Sequence, residues 1–403
     1  MNILFTTSTL PLSKNDSILS IVLDLAVKLE QHTNNKIIVL APHYPGAETE
    51  EIINNIKIYR FRYFLSRLQT LCYGYGITNN LKKNKLNYLL LPFFFIFQIL
   101  AIKKIVKKEK IDLLHTHWLV PQGLTAVIYK KLFNKKLPLV CTLHGTDVFG
   151  LQSKIFKIIK KHILNNINAI TAISQSVKNQ INKINKNANK LSIIHHGIDT
   201  NIFKPNINTE QLKAKYQINS FCLFTAGRLA ISKGYLYIVE AMPKIISIHP
   251  NAKLLIAGQG PDKNKIKVKI KKLNLEKNII LLGSVSRREM PNYYALADIF
   301  IGASLNIPGQ SAEGFGLVYL EAMACSTPII ATAVGGATEL VSKETGILIP
   351  DKNKTAIEKA IIALLSRPNK LKSLKNNCLK RVNNKFGWKN IAQQYNTIYQ
   401  TLK

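Results

Sequence analysis

A chain of 403 residues has room for two to three domains with sizeable cores, and 47% apolar content is ordinary for a globular protein. Its five cysteines (Cys72, Cys141, Cys222, Cys325, Cys378) are scattered, with no C-x-x-C and no metal-like His/Cys spacing, which argues against a disulfide framework or zinc site and for a reducing cytoplasm. The balance of 56 basic to 22 acidic residues, a formal +34, leaves three explanations: a nucleic-acid partner, an anionic membrane surface, or compositional drift towards Lys, Asn and Ile. Lysine is spread along the chain without an aromatic-interleaved patch, so no nucleic acid is expected.

The start, Met1-Asn-Ile-Leu-Phe-Thr-Thr, lacks the basic region and cleavage site of a signal peptide. Ile3–Thr6 reads as a strand, Ile18–Lys28 has helical periodicity, and Ile37–Ala41 is a second strand, together a βαβ unit with a parallel sheet. The loop Pro11–Asp16 follows the first strand, at the end where open α/β sheets bind ligands, and carries Lys14 and Asp16. Ile56–Tyr63 alternates as a strand. The apolar run Tyr88–Ile102, followed by Lys103-Lys-Ile-Val-Lys-Lys, is short for a membrane span and interrupted by Pro92 and Gln98. A buried crossover helix is the first reading; an interfacial helix and a true span are the alternatives. Ile111–His117 and Leu139–Leu143 are strands whose ends carry His115, His117 and His144-Gly-Thr-Asp147. Ala169–Ile173 is a strand with Ser174 as the following N-cap, and Leu191–Ile194 leads to a turn in which Gly197 and Asp199 read as structural. The polar stretch Lys204–Asn219 crosses to a second domain.

That domain opens with the strand Phe221–Thr225 and the loop Ala226-Gly-Arg-Leu-Ala-Ile-Ser-Lys-Gly234. The fork of Arg228 and the compact charge of Lys233 suit the two charges of a diphosphate. Further strands are expected at Lys253–Ala257, Asn278–Leu282, Asp298–Ile301, Pro328–Thr332 and Gly346–Ile349. Gly258-Gln-Gly260 reads as a tight turn, Ser286-Arg-Arg-Glu289 as a capping box, and 304–312 as a mobile lip. The run Glu313-Gly-Phe-Gly-Leu-Val-Tyr-Leu-Glu321 then places two glycines before a helix, an arrangement that presents N–H groups to an anion. On one continuous helix its two carboxylates would stand about 12 Å apart, too far for a glycosidase pair, so they suit gripping hydroxyls at two ends of an extended ligand.

The Glu-x₇-Glu run, extended by Ala322-Met-Ala-Cys325, resembles the signature of family 4 retaining glycosyltransferases of the GT-B fold, also called glycosyl transferases group 1. The resemblance implies an α/β fold of two Rossmann-like, doubly wound domains facing a central cleft: 1–203 on the acceptor side, with a C-terminal helix 388–403 packing back on it, and 204–387 binding a nucleotide-sugar donor. It implies that Arg228 and Lys233 hold the diphosphate with N–H groups of Gly314, Phe315, Gly316 and Leu317, that Val285 contacts the nucleobase, and that Glu321 takes ribose hydroxyls. Glu313 would take hydroxyls of the transferred sugar, and His144 would lie beside the anomeric carbon with Asp147 nearby; His117 reads as an acceptor-side candidate, and Lys14 and Asp16 either substitute on the acceptor side for a loop this chain lacks or are simply solvated. The Gly-Gly loop common after the first strand in that family is missing here. No D-x-D occurs, so neither metal nor cofactor is expected beyond the nucleotide sugar. The implied activity is transfer of a hexose or related sugar, with retention, to a saccharide or lipid-linked hydroxyl acceptor in polysaccharide, lipopolysaccharide or glycolipid synthesis. Its place is the cytoplasm, at the inner face of an anionic plasma membrane. The alternatives are a nucleotide-sugar epimerase of this fold or a non-enzymatic basic lipid- or nucleic-acid-binding protein.

Overall fold

Short runs of apolar, β-branched residues separated by glycine- and asparagine-bearing turns fix the strands, and the helical periods between them fix the crossovers. The computed structural model describes residues 1–11, 21–74, 76–185, 190–307 and 314–403. They divide into two compact units, Met1–His195 with Trp388–Lys403, and His196–Gly387.

The first unit is built on β1 (Asn2–Thr6), β2 (Lys36–Pro42), β3 (Glu50–Ile53), β4 (Ile56–Phe61), β5 (Leu113–His117), β6 (Leu139–Leu143), β7 (Ala169–Ala172) and β8 (Leu191–Ile193). Their order is β3-β4-β2-β1-β5-β6-β7-β8, so the chain winds one way from β1 and then the other from β5. On one face the helix Ile21–His32 turns Val22, Leu25 and Leu29 onto the sheet and against Trp388, Ile391 and Tyr395 of the C-terminal helix Trp388–Thr401. Each such side chain stabilises the fold by about 1.5–3 kcal/mol through the area it removes from water. Ser174 caps the helix Gln175–Ile184 by accepting from Val177 N at 3.3 Å.

The second unit has β9 (Cys222–Ala226), β10 (Lys253–Ala257), β11 (Ile279–Gly283), β12 (Ile299–Gly302), β13 (Ile329–Thr332) and β14 (Gly346–Ile349), ordered β11-β10-β9-β12-β13-β14 and parallel throughout.

Three expectations are corrected. The first sheet is not wholly parallel: β3 pairs antiparallel with β4 across Asn54 and Asn55, both left-handed at φ 50 and 67, a two-residue hairpin turn that asparagine tolerates. The stretch 204–219 is not all linker, since Glu210–Tyr216 is helical. The apolar run does form a crossover helix, Leu90–Lys108, but not a buried one: Leu90, Phe94, Gln98, Ile102 and Ile105 face inward while Phe93, Ile96, Phe97 and Leu100 are exposed. The helix expected over Ile18–Lys28 is seen as Ile21–His32, and residues 18–20 lie outside the described residues.

Candidate functional site

In a doubly wound sheet the loops at the carboxyl edge diverge where the strand order reverses, leaving a crevice. In the second unit that point lies between β9 and β12. The loop leaving β9 carries Arg228, which is exposed, and Lys233, half-buried at the end of the single turn Ile231–Lys233. Leu305 N, beyond β12, donates to Ser232 O at 2.8 Å, so the two exits are tied. The Arg228 loop is pressed onto Gly258-Gln-Gly260. Leu229 N donates to Gln259 O at 2.9 Å, and a Cβ on Gly258 would stand 1.9 Å from Gly227 O. That tight turn therefore shapes the cation-bearing loop, a role its short spacing did not disclose.

The helix Leu317–Ala324 begins at Gly316, whose φ of 87 and ψ of 59 are left-handed. Only glycine adopts that conformation without strain, and it aims the first turn's N–H groups along the helix dipole. Phe315 is buried edge-on to His196 and Phe386 at 5.6 and 6.2 Å, which anchors the turn, with Gly314 and Leu317 half-buried beside it. One turn on, Glu321 is 9% exposed and its Oε2 accepts from Tyr294 Oη at 2.7 Å. Burial pushes its carboxyl up to about 7, against the Tyr294 hydroxyl and the charge of Arg287, which favour the anion. Val285 is half-buried just past β11, one residue before Ser286, whose Oγ donates to Glu289 Oε2 at 2.6 Å while Glu289 N donates back to it at 3.3 Å. Arg228, Lys233, Val285, Gly314, Phe315, Gly316, Leu317 and Glu321 thus all follow strands at the carboxyl edge of one sheet. Glu313 lies outside the described residues.

In the first unit the order reverses between β1 and β5. Lys14 and Asp16, beyond β1, lie outside the described residues. His117 ends β5 and is fully buried, its Nδ1 3.0 Å from Nε2 of the half-buried His144, so one ring donates and the other accepts. Trp118 is tilted against His144 with centroids 4.5 Å apart. Behind them His115 is held between Tyr399 Oη at 2.8 Å and Thr142 Oγ1 at 2.7 Å, and burial drives its imidazole down to about 3, so it is neutral and structural. Asp147, in the short helix Thr146–Phe149, accepts from Leu119 N at 2.9 Å and so pins the β5 and β6 exits together. Burial raises its carboxyl, opposed by that N–H and by the charge of Lys160. Lys160 was not singled out from sequence, where it is one lysine among many. It is wholly buried and donates to Val148 O and Gly150 O, securing the loop that carries His144 and Asp147.

Residues 191–381 match the family described as Glycosyl transferases group 1, and residues 20–202 match Glycosyltransferase Family 4. The chain is 29% identical over 301 residues to N-acetyl-alpha-D-glucosaminyl L-malate synthase of Bacillus anthracis, covering 73% of this chain and 76% of that one. It is 32% identical over 302 residues to the uncharacterized glycosyltransferase MJ1178 of Methanocaldococcus jannaschii, covering 74% and 78%. Among solved structures, Anabaena Alr3699/HepE in complex with UDP and glucose superposes with a TM-score of 0.72 over 100% of both chains at 18% identity, a likeness of fold.

Proposed function

Because the chain belongs to the family 4 glycosyltransferases (glycosyl transferases group 1), which have the GT-B fold and use nucleotide sugars, we propose that it moves a hexose, with retention and without a metal, from a nucleoside diphosphate to a hydroxyl acceptor. The observation that carries this reading is the carboxyl edge of the second sheet. There an exposed arginine, a lysine, a glycine-started helix and a buried carboxylate follow neighbouring strands around one strand-order reversal.

In this reading Arg228 and Lys233 neutralise the donor diphosphate, and the dipole of Leu317–Ala324 adds to them as charge builds on the leaving nucleotide. Tyr294 holds Oε2 of Glu321, leaving Oε1 for a ribose hydroxyl. Val285 lies beside the base, and Glu313 takes hydroxyls of the sugar. His144, propped by His117, stands by the anomeric carbon, while Asp147 keeps that loop in place. The UDP and glucose named for the Anabaena structure make UDP-glucose the first donor to try. The acceptor is a saccharide or lipid-linked hydroxyl at the inner face of the plasma membrane.

The test is thermal unfolding with UDP-, GDP- and ADP-sugars, with and without chelator. A donor at a hundredfold its Kd adds about 2.7 kcal/mol to unfolding. One donor should stabilise the wild type equally in chelator, and Arg228→Ala should abolish the effect. No stabilisation by any donor, or full stabilisation of Arg228→Ala, overturns the reading. Conversion of the donor without an acceptor would make it an epimerase instead.

A further inference from the structure

The apolar face left bare in the first unit is not a random scatter. The helix Leu90–Lys108 is about 28 Å long, whereas a five-residue strand such as β5 spans about 17 Å. Its C-terminus is level with the amino edge of the sheet, because the chain enters β5 at once and Asp112 N donates to Asn2 O at 2.8 Å. From there the helix runs back along the sheet and its N-terminal half reaches the carboxyl edge, where His117 and His144 lie: Phe94 packs on Phe61, the last residue of β4, and on Tyr63 just beyond it. Phe93, Ile96 and Phe97 are exposed on that half, and Leu86 and Leu89, 70% and 69% exposed, precede it. Phe64 touches Phe93 with ring centroids 5.2 Å apart, bringing the 71%-exposed Leu65 alongside.

The helix cannot leave to span a bilayer. Phe94, fully buried, packs on Phe61 and Tyr63 with centroids at 5.2 and 5.4 Å, so extraction would open the unit's own core. Charge names the occupant of the bare face: residues 62–108 hold nine Lys or Arg and no Asp or Glu. Lys82, Lys83 and Lys85 are exposed immediately before the apolar residues, and Lys103, Lys104 and Lys107 after them. Large apolar side chains bracketed by cations fit the headgroup boundary of an anionic bilayer.

We propose that this flank, Leu65 with the exposed apolar stripe on the N-terminal half of Leu90–Lys108, seats the protein on an anionic lipid surface with the His144 loop at the same sheet edge. Presentation of a lipid-linked acceptor there rests on the transferase reading; the docking itself does not.

The test is co-sedimentation of the full chain with phosphatidylcholine vesicles with and without phosphatidylglycerol, at low and high salt and without any nucleotide sugar. Phe93→Ser/Ile96→Ser/Phe97→Ser, checked for folding by circular dichroism, should lose about tenfold or more in partitioning to phosphatidylglycerol vesicles. Lys82→Gln/Lys83→Gln/Lys85→Gln, which alters only exposed side chains, keeps the test decisive should the first variant misfold: its binding should fall several-fold and lose much of its salt dependence. Wild-type protein that stays in the supernatant with anionic vesicles overturns the proposal. So does undiminished binding by the glutamine variant, or a wild-type dimer that the serine variant disperses, which would make the face a contact between copies. Donor stabilisation is read separately, so either proposal can fail alone.

Discussion

Replacing Glu321 by glutamine should stabilise the second unit while harming what it binds. Burial holds this carboxyl at about 7 against an ordinary 4.5. A group whose folded pKa is raised contributes stability that is fully present below the unfolded value and is lost as pH rises through the folded one. At 1.36 kcal/mol per tenfold, the ionised form weighs against folding by about 3 kcal/mol near pH 8 and by a few tenths near pH 4.5. Glutamine has nearly the same shape, can still accept from Tyr294 Oη, and carries no charge to desolvate. Urea unfolding of Glu321→Gln followed by far-UV circular dichroism should thus show a gain of about 3 kcal/mol near pH 8 that nearly vanishes near pH 4.5. Nucleotide affinity should fall about tenfold or more, since an amide oxygen is a weaker acceptor for ribose hydroxyls. An equal gain at both pH values, or none at either, would refute the assignment of a buried, destabilising carboxylate.

The first unit should respond to acid in the opposite sense. With the His115 imidazole near 3 when folded against an ordinary 6.5, stability is intact above 6.5 and lost as pH falls towards 3, by about 2 kcal/mol at pH 5. Both tryptophans, Trp118 and Trp388, belong to this unit, so tryptophan fluorescence during urea unfolding reports it, and His115→Asn should flatten the acid limb. Lys160→Met should destabilise the same unit by about 2–3 kcal/mol by removing the two charge-assisted hydrogen bonds to Val148 O and Gly150 O, again by fluorescence, and should lower transfer far more than donor binding. Gly316→Ala should lower urea stability by about 1–2 kcal/mol through its left-handed backbone, with weaker nucleotide binding by calorimetry. Arg228→Ala should keep wild-type stability, its side chain being exposed, while losing about tenfold or more in nucleoside diphosphate affinity by calorimetry.

Much of this was legible along the chain. Ile37–Ala41, Lys253–Ala257 and Pro328–Thr332 announce strands because side-chain period and β-branching act over a few residues. The turns at Gly227 and Gly316 announce themselves because a backbone demand is met by the residue that makes it. The hairpin at Asn54-Asn55 carries the same kind of local signal, two residues that tolerate left-handed backbone, although the surrounding βαβ pattern points to a purely parallel sheet.

What folding alone decided is the environment of each charge and the outlook of each apolar face. Glu321 sits near neutrality because Tyr294, 27 residues away, and the core around it take away water. His115 is neutral because Tyr399, 284 positions distant, closes over it. Lys160 is one of 56 basic residues in composition and a buried clamp in the fold. The Leu90–Lys108 helix reads as core by its apolarity, yet only the stripe Leu90, Phe94, Gln98, Ile102 and Ile105 is covered by the unit, and Phe93, Ile96, Phe97 and Leu100 on the opposite face are left bare. Periodicity and backbone preference are local and so are written in order, whereas dielectric, partners and exposure are set by what distant segments bring alongside.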